Sequence, residues 1–216
     1  MTPTFDFITA LKFVSHAQGT NDVRYYLNGV LFRFVGNTLA LTASDGHRIA
    51  RIRLGIEGCP LAGDYIVKAD SVKAALATVK TKRNDDTRVR LEPAPDGSGD
   101  LLLTAGPFML ALEVQDGRYP DFERAIPHGD PVGCPVIGVD AEYLAAAATA
   151  LKPLRAGKYR ALTMETWEAN TAIRLRCTPD APGLTRIEGE AVVHVMPARV
   201  GKESSTGGCV TGNEER

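Results

Sequence analysis

One pattern that is repeated three times dominates this sequence. A helix-like segment followed by about three strand-like segments recurs at intervals of about 65–70 residues. Helices are recognised by apolar residues at helical spacing, and strands by the alternation of apolar and polar residues. The 216 residues are enough for one sizeable domain and part of a second. The repetition therefore predicts an α+β fold built from three β-α-βββ half-domain units.

The first unit is predicted to begin with a helix that starts at Thr2-Pro3, because proline is tolerated in a first helical turn, and that ends at Gly19. Gly36-Asn37 and Asp45-Gly46 are predicted to be tight turns, since both dipeptides can adopt the positive φ that hairpins require. The turns separate three predicted strands: Tyr25–Val35, Thr38–Ser44 and His47–Leu54. Alternation in the last strand predicts one face with Arg48, Ala50, Ile52 and Leu54, and another with His47, Ile49, Arg51 and Arg53.

The second and third units each open with a strand and an aspartate that can cap a helix, Asp70 and Asp140. An apolar stripe at helical spacing follows each aspartate: Val72, Ala75, Leu76 and Val79 in one unit, and Leu144, Ala147, Ala148 and Leu151 in the other. The predicted strands of the two units are Asp64–Lys68, Arg88–Glu92, Leu101–Thr104, Phe108–Val114, Val136–Val139, Arg160–Glu165, Thr171–Cys177 and Glu190–Met196.

Two segments of irregular composition divide the chain into parts. Asp116–Pro135 is rich in glycine and proline and is predicted to be a linker between the second and third units. Gly201–Arg216 is small and polar without periodicity, which predicts a disordered tail. We therefore expect a domain over residues 1–127, a half domain over 128–200, and a tail over 201–216.

Composition narrows the classes of function. The net charge is −1, whereas proteins that grip DNA by bulk charge are usually basic, so any nucleic-acid contact should be local, weak or shared between subunits. The four cysteines are far apart and form no CxxC pair, so we expect no zinc site, disulfide framework or cofactor. No apolar run reaches the ~18 residues of a membrane span, and no secretory signal is recognisable, so a cytoplasmic protein is expected.

Three segments carry a resemblance to a known family. The first is Asp22-Val23-Arg24-Tyr25-Tyr26-Leu27-Asn28-Gly29, followed at a fixed distance by Asp45-Gly46-His47-Arg48-Ile49-Ala50. The second is Asp116-Gly117-Arg118-Tyr119-Pro120-Asp121-Phe122, and the third is Val195-Met196-Pro197-Ala198-Arg199-Val200. Together and in this order they resemble the bacterial DNA polymerase III β-subunit, the sliding clamp. The resemblance implies a DNA-clamp fold with antiparallel sheets outside and helices inside.

The resemblance also implies an accessory protein of DNA replication that lacks a catalytic site. Residues 1–127 resemble the middle domain of the family, and residues 134–200 resemble the second half of its last domain. Ser44, Asp45 and His47 are residue types of a catalytic triad, but as neighbours across a turn they cannot easily align for catalysis. The sequence holds no phosphate-binding glycine loop, HExxH or paired-carboxylate motif.

A peptide-binding cleft is the best-supported site that the resemblance implies. In the family, polymerases and repair proteins dock a short, partly apolar peptide between the middle domain and the C-terminal segment. The matching positions are Arg24, Leu27, Ser44, Gly46, His47, Arg48, Ile49, Pro120, Arg124, Ala125, Tyr143, His194, Val195, Met196, Pro197, Ala198, Arg199 and Val200.

Within this cleft, the apolar residues are expected to form a floor and the arginines a rim that holds peptide carbonyls or acidic side chains. The expected floor is Leu27, Ile49, Pro120, Val195, Met196 and Pro197, and the expected rim is Arg24, Arg48 and Arg199. His194 stands where the family often has an apolar residue, and Ala125 and Ala198 are smaller than usual, which predicts a wider pocket with altered motif preference. Taken singly, Ile49, Val195 and Met196 are better explained as core residues, and only their joint match to the family favours the cleft.

Contact with duplex DNA is a second expected role. The resemblance places Asn21, Tyr25 and Tyr26 near nucleic acid, where tyrosines can stack on bases, although they could also be buried strand aromatics. Helices and their ends offer cations for a salt-sensitive attraction to phosphates: Lys12, Lys73, Lys80, Lys82, Arg83, Lys152 and Arg155.

Three hypotheses follow for the chain as a whole. Copies could assemble as a homo-oligomer into a ring around DNA and act as a processivity clamp for a DNA polymerase. Alternatively, the chain could be a peptide-binding module or decoy that modulates a full-length clamp without encircling DNA. A third possibility is a decayed gene fragment, whose exposed sheet edge would invite aggregation.

Overall fold

The chain folds into helices packed against two antiparallel sheets. The computed structural model describes residues 1–82, 86–127, 129, 138–152, 162–167, 171–177 and 192–197. The α-helices in these ranges are α1 (Thr4–Ser15), α2 (Ala69–Thr78) and α3 (Ala141–Leu151). The strands are β1 (Thr2–Pro3), β2 (Gly29–Val35), β3 (Thr38–Ser44), β4 (Arg48–Gly55), β5 (Gly63–Lys68), β6 (Arg88–Pro93), β7 (Leu101–Ala105), β8 (Phe108–Leu112), β9 (Val114–Gln115), β10 (Leu162–Glu165), β11 (Ile173–Cys177) and β12 (Val192–Val195). Short 3₁₀ turns occupy Tyr25–Asn28 and Phe122–Ala125.

The larger sheet joins the third unit to the first. Its eight strands run in the order β10-β11-β12-β4-β3-β2-β5-β9, and the smaller sheet runs in the order β1-β6-β7-β8. The junction is the antiparallel pair β12–β4, in which Val195 lies opposite Arg48 and Val192 lies opposite Arg51. Because this pairing spans more than 140 positions of sequence, it places two distant segments side by side.

The start of the chain differs from the sequence prediction. Thr2–Pro3 forms the strand β1, with Thr2 opposite Val89 of β6, so the helix begins only at Thr4. The Thr4 amide donates a 2.9 Å hydrogen bond to the carbonyl of Thr87, which holds the start of the helix next to β6. The helix also ends at Ser15 rather than at Gly19. Local preference permitted proline in a first turn, but a distant strand captured the segment instead.

Three further predictions were wrong in detail. Tyr25–Asn28 is a 3₁₀ turn, so the strand that follows starts at Gly29. Asp70 does not cap α2, because the helix starts at Ala69 and Asp70 lies in its first turn. Its carboxylate lies 3.6 Å from the Lys73 Nζ. The predicted strand Phe108–Val114 is divided between β8 of the smaller sheet and β9 of the larger one. In contrast, Asp140 caps α3 as predicted and accepts a 2.8 Å hydrogen bond from the Glu142 amide.

The main core lies between the helices and the inner faces of the sheets. Phe7 and Phe13 of α1 are fully buried there, and Phe7 meets Phe32 edge-on with ring centroids 6.2 Å apart. Ile52 and Leu54 of β4 belong to the same core, in agreement with the prediction that they share one face of this strand. Fully burying side chains of this size contributes roughly 1.5–3 kcal/mol each.

A second, smaller apolar cluster lies on the outer face of the larger sheet. Its buried members are Leu27, Leu31, Ile49, Ile66, Tyr119 and Phe122, with Tyr26, Ile126 and Met196 packed against them. The first part of the predicted linker therefore lies against the sheet, since Tyr119 and Phe122 are buried in this cluster and meet edge-on with centroids 6.3 Å apart. In the described ranges, no helix is long and apolar enough to span a membrane.

Candidate functional site

The candidate site lies where β12 meets the turn that precedes β4. The Met196 amide donates a 2.9 Å hydrogen bond to the carbonyl of His47. His194 lies opposite Ile49 in the same antiparallel register. The stretches around Gly46 and Pro197 are therefore adjacent in the fold, as the resemblance to the family implied.

The turn Asp45–Gly46 is held by its own side chains. One Asp45 carboxylate oxygen accepts hydrogen bonds from the amides of His47, at 2.9 Å, and Arg48, at 3.0 Å. The Gly46 amide donates to the Ser44 hydroxyl at 3.1 Å. Gly46 has φ of +89°, and a Cβ there would lie 2.8 Å from the Arg24 guanidinium. Glycine is therefore required here both by backbone conformation and by the close approach of Arg24.

Arg24 is engaged within the chain and is not a free cation at the rim. Its Nε and Nη2 lie 3.0 and 2.7 Å from the two carboxylate oxygens of Asp22. These hydrogen bonds, with one from the Arg24 amide, lower the pKa of Asp22 to about 2. A third contact, 3.3 Å from Nη2 to the carbonyl of Asp45, links this pair to the turn. Arg24 thus positions the turn as well as bordering the cleft.

Tyr143 of α3 provides one wall of the site. Its ring stacks on His47 with centroids 5.7 Å apart and planes inclined by 15°. The Arg48 guanidinium lies 5.4 Å from the same ring and also pairs with the Asp45 carboxylate at 2.9 Å. The aromatic ring therefore ties the third unit to the turn of the first through stacking and cation–π contacts.

The floor of the site differs from the prediction at two positions, Val195 and Pro120. Leu27 and Ile49 are buried, and Met196, which is half-buried, packs against their cluster. Val195, by contrast, is fully buried in the main core on the opposite face of β12, so its assignment to the floor was wrong. Alternation along a strand sends neighbouring side chains to opposite faces, which leaves Met196 and His194 on the site's side.

The remaining predicted cleft residues lie at its margin or outside the described ranges. Pro120, Arg124 and Ala125 are exposed beside the 3₁₀ turn Phe122–Ala125, and Arg124 pairs with Asp121 at 2.9 Å. Pro197 is half-buried directly after Met196. Ala198, Arg199, Val200 and the predicted tail lie outside the described residues, so their predicted roles stay predictions.

Sequence reasoning missed several residues that build the outer face around the site. Tyr119 and Phe122 were part of the matching segment, but only their burial against Ile49 marks them as floor residues. Arg51 was also missed, although it lies 5.8 Å from the Phe122 ring and pairs with Glu123 at 2.8 Å. Two aromatic residues three positions apart in an otherwise polar, proline-containing segment were the signal that could have identified the first two.

The residues predicted to meet DNA are mostly exposed. Asn21 has a positive φ of 54°. Tyr25 is 54% exposed, so it is not a buried strand aromatic. Tyr26 packs against the outer cluster and meets Tyr25 edge-on at 5.5 Å. The candidate lysines of the helix layer and its ends are exposed: Lys12, Lys73, Lys80, Lys82 and Lys152. Arg83 and Arg155 lie outside the described residues.

Comparison with known proteins identifies a family. The family model for the DNA polymerase III beta subunit, central domain, matches residues 3–121, more than half of the chain. The beta sliding clamp of Pseudomonas aeruginosa is 30% identical over 151 residues, which are 70% of this chain and 39% of the relative. That of Salmonella typhimurium is 34% identical over 106 residues, which are 49% of this chain and 27% of the relative. The chain therefore spans well under half the length of these relatives.

Solved structures confirm the fold. The DNA polymerase sliding clamp from Pseudomonas aeruginosa with ligand superposes with a TM-score of 0.70 at 17% identity, covering 93% of this chain and 66% of that one. The DNA polymerase III beta chain from Streptococcus pneumoniae gives a TM-score of 0.69 at 15% identity, covering 93% and 64%. This chain belongs to the family of the bacterial DNA polymerase III β-subunit, the sliding clamps.

Proposed function

We propose that the chain acts in DNA replication as a clamp-like protein whose cleft binds short, partly apolar peptides of DNA polymerases. The observation that carries this proposal is the hydrogen bond from the Met196 amide to the His47 carbonyl, which joins the two halves of the cleft. Leu27, Ile49 and Met196 supply an apolar surface, and the Tyr143 ring supplies a wall. A few anchors in such a pocket can carry most of the binding energy.

Micromolar affinity is the expected range for this cleft. A dissociation constant of about 1 μM corresponds to about −8 kcal/mol, which a few buried anchors can supply. Met196 is the adaptable element, because its unbranched thioether can follow anchors of different shape. It is half-buried in the free protein, so part of its surface is open to a ligand.

Titration of a labelled peptide copied from the clamp-binding segment of a bacterial replicative polymerase tests the proposal. Met196→Ala should weaken binding by about tenfold, since truncating an anchor costs more than about 1 kcal/mol. Met109→Ala is the matched control, because Met109 lies on β8 of the smaller sheet and is 67% exposed. Fluorescence anisotropy measures both. Absence of binding at ~100 μM, or an equal effect of the two substitutions, would refute the proposed function.

Contact with duplex DNA is a second proposed activity, supported by exposed lysines on the helix layer. α1 lies next to both α2 and α3, and Lys12 and Lys73 lie on the first two of these helices. Binding through such residues should be weak and should fall with added salt, because it releases counterions from phosphates. Retention of a labelled duplex at two salt concentrations measures this binding. Lys73→Glu should reduce it, whereas Arg90→Glu, on β6 of the smaller sheet, is the control for net charge.

We further propose that the protein works as a homo-oligomer built from a domain over residues 1–127 and a half domain over 128–200. The support is the membership of the sliding-clamp family. Light scattering at micromolar concentration distinguishes the oligomer from a monomer. A monomer that competes with a full-length clamp for the labelled peptide would instead support the decoy hypothesis, which uses the same cleft.

A further inference from the structure

A small pocket lies on the outer face of the larger sheet, beside the cleft. Its volume is ≈ 170 Å³, and it is lined by Arg51, Arg53, Ile126, Arg174, Val192 and His194. The strand register explains this grouping, because Arg174 lies opposite His194 and His194 lies opposite Ile49 of the cleft floor. Ile126 packs against the same outer cluster as Met196. The pocket therefore adjoins the residues of the proposed peptide cleft.

His194 is the unusual member of this pocket. It is only 2% exposed, yet neither ring nitrogen has a hydrogen-bond partner among the described residues. A buried polar group left without a partner costs roughly 1–3 kcal/mol, so such groups are rare in native proteins. Burial, with the nearby charges of Arg174 and Arg51, lowers the pKa of His194 to about 4. The imidazole is therefore neutral at physiological pH and offers one N–H donor.

The charges around His194 are predominantly positive. Arg51 pairs with Glu123 at 2.8 Å, and the Glu165 carboxylate is shared by Arg174, at 2.9 Å, and Arg176, at 2.6 Å. With Arg53, three arginines line the pocket, and the carboxylates paired with them are those of Glu123 and Glu165. Positive charge in excess, next to a half-enclosed donor, favours an anionic ligand.

We propose that this pocket is an anion subsite that accepts a carboxylate from an acidic residue flanking the apolar anchors of the docked peptide. His194 donates its ring N–H, and Arg51 and Arg53 supply the positive charge. This inference rests on the proposed function of the adjoining cleft. A peptide carboxylate fits better than a duplex phosphate, because the pocket lies on the outer face of the sheet, opposite the helices that carry Lys12 and Lys73.

Binding of the carboxylate should be linked to proton uptake. The groups that face His194 are Arg51 of β4, Arg174 of β11 and, through them, Glu123 and Glu165. A bound carboxylate stabilises the imidazolium form, so the complex holds the proton at a higher pH than the free protein does. Affinity for the acidic peptide should therefore rise as pH falls from about 7.5 to about 5.5, before the carboxylate itself is protonated.

A matched pair of peptides tests the inference. Synthetic polymerase-derived peptides carry a single Glu or the isosteric Gln at each position that flanks the apolar anchors, and anisotropy gives their affinities. The native protein should prefer Glu by about tenfold at one position, equivalent to about 1.4 kcal/mol for one charge-assisted hydrogen bond. Arg53→Gln and His194→Leu should each reduce this preference to less than about twofold. The preference should grow at lower pH in the native protein and not in His194→Leu.

Arg90→Gln is the control for net charge, because Arg90 lies on β6 of the smaller sheet, and it should keep the full preference. If neither peptide binds, the proposed function fails and the inference with it. If both bind equally, the cleft stands and the anion subsite is refuted. Two further results would also overturn it: loss of duplex binding in Arg53→Gln without a change in peptide preference, or equal thermal protection by free acetate and by the acidic peptide.

Discussion

The buried imidazole of His194 should make the protein less stable in mild acid. Its pKa is about 4 in the folded protein, against an ordinary value of 6.5. Between these values the unfolded chain binds the proton and the folded chain does not, so stability is lost as pH falls. At pH 5.0, linkage gives a loss of about 2 kcal/mol relative to pH 7.5 from this residue alone.

Replacement of His194 by leucine should remove that loss. Leucine has no proton to bind and no polar atoms to satisfy, so His194→Leu should also be more stable than the native protein by about 1 kcal/mol at pH 7.5. The pH dependence of His16, whose pKa is also lowered by burial, remains in both proteins and cancels in the comparison. The difference between the two proteins therefore isolates His194.

Urea unfolding followed by tryptophan fluorescence measures the effect. Trp167 is the single tryptophan of the chain, and the Arg174 guanidinium lies 4.7 Å from its ring, so the signal reports on the neighbourhood of His194. The free energy of unfolding is extrapolated to water at pH 7.5 and pH 5.0 at constant ionic strength. A pH dependence that is the same in both proteins within about 0.5 kcal/mol would show that His194 is not buried as a neutral base.

Two other substitutions test how the cleft is built. Gly46→Ala should destabilise the protein by about 1–2 kcal/mol, because a Cβ there combines a strained φ with contact to Arg24. Gly36→Ala is the control and should destabilise the protein less, because a Cβ at that position meets no neighbouring atom. Equal urea midpoints for the two variants would contradict this account. Tyr143→Leu should lower the affinity for the labelled peptide by about fivefold or more, because the wall formed by the stacked ring is lost. A fivefold change corresponds to about 1 kcal/mol of binding free energy. Unchanged affinity would show that Tyr143 only secures the third unit.

Local sequence pattern predicted most elements because their periodicity follows from burial on one face. The alternation in β4 placed Ile52 and Leu54 on one face, which the structure buries in the core, and the Asp140 cap was recognisable from residue type alone. The errors arose where a distant segment decided the outcome. Thr2–Pro3 became a strand because β6 was available as a partner, and no local propensity contains that information.

The site was only partly predictable for the same reason. Resemblance brought Gly46 and Met196 together, but alternation at the end of β12 decided that Val195 faces the core and His194 the outer surface. The register that sets Arg174 beside His194 depends on how three strands align, which cannot be read from one strand. The pocket is therefore a property of the assembled sheet.

The seam between β12 and β4 has a consequence for how a ligand would affect the molecule. The chain segments on the two sides of the cleft are neighbours only while this seam is closed. A peptide bound across it would stabilise the closed seam by RT ln(1 + L/Kd), where L is the free peptide concentration, and would so oppose separation of the third unit from the first. Binding of the peptide to the cleft and pairing of β12 with β4 would then be thermodynamically linked, so that each favours the other.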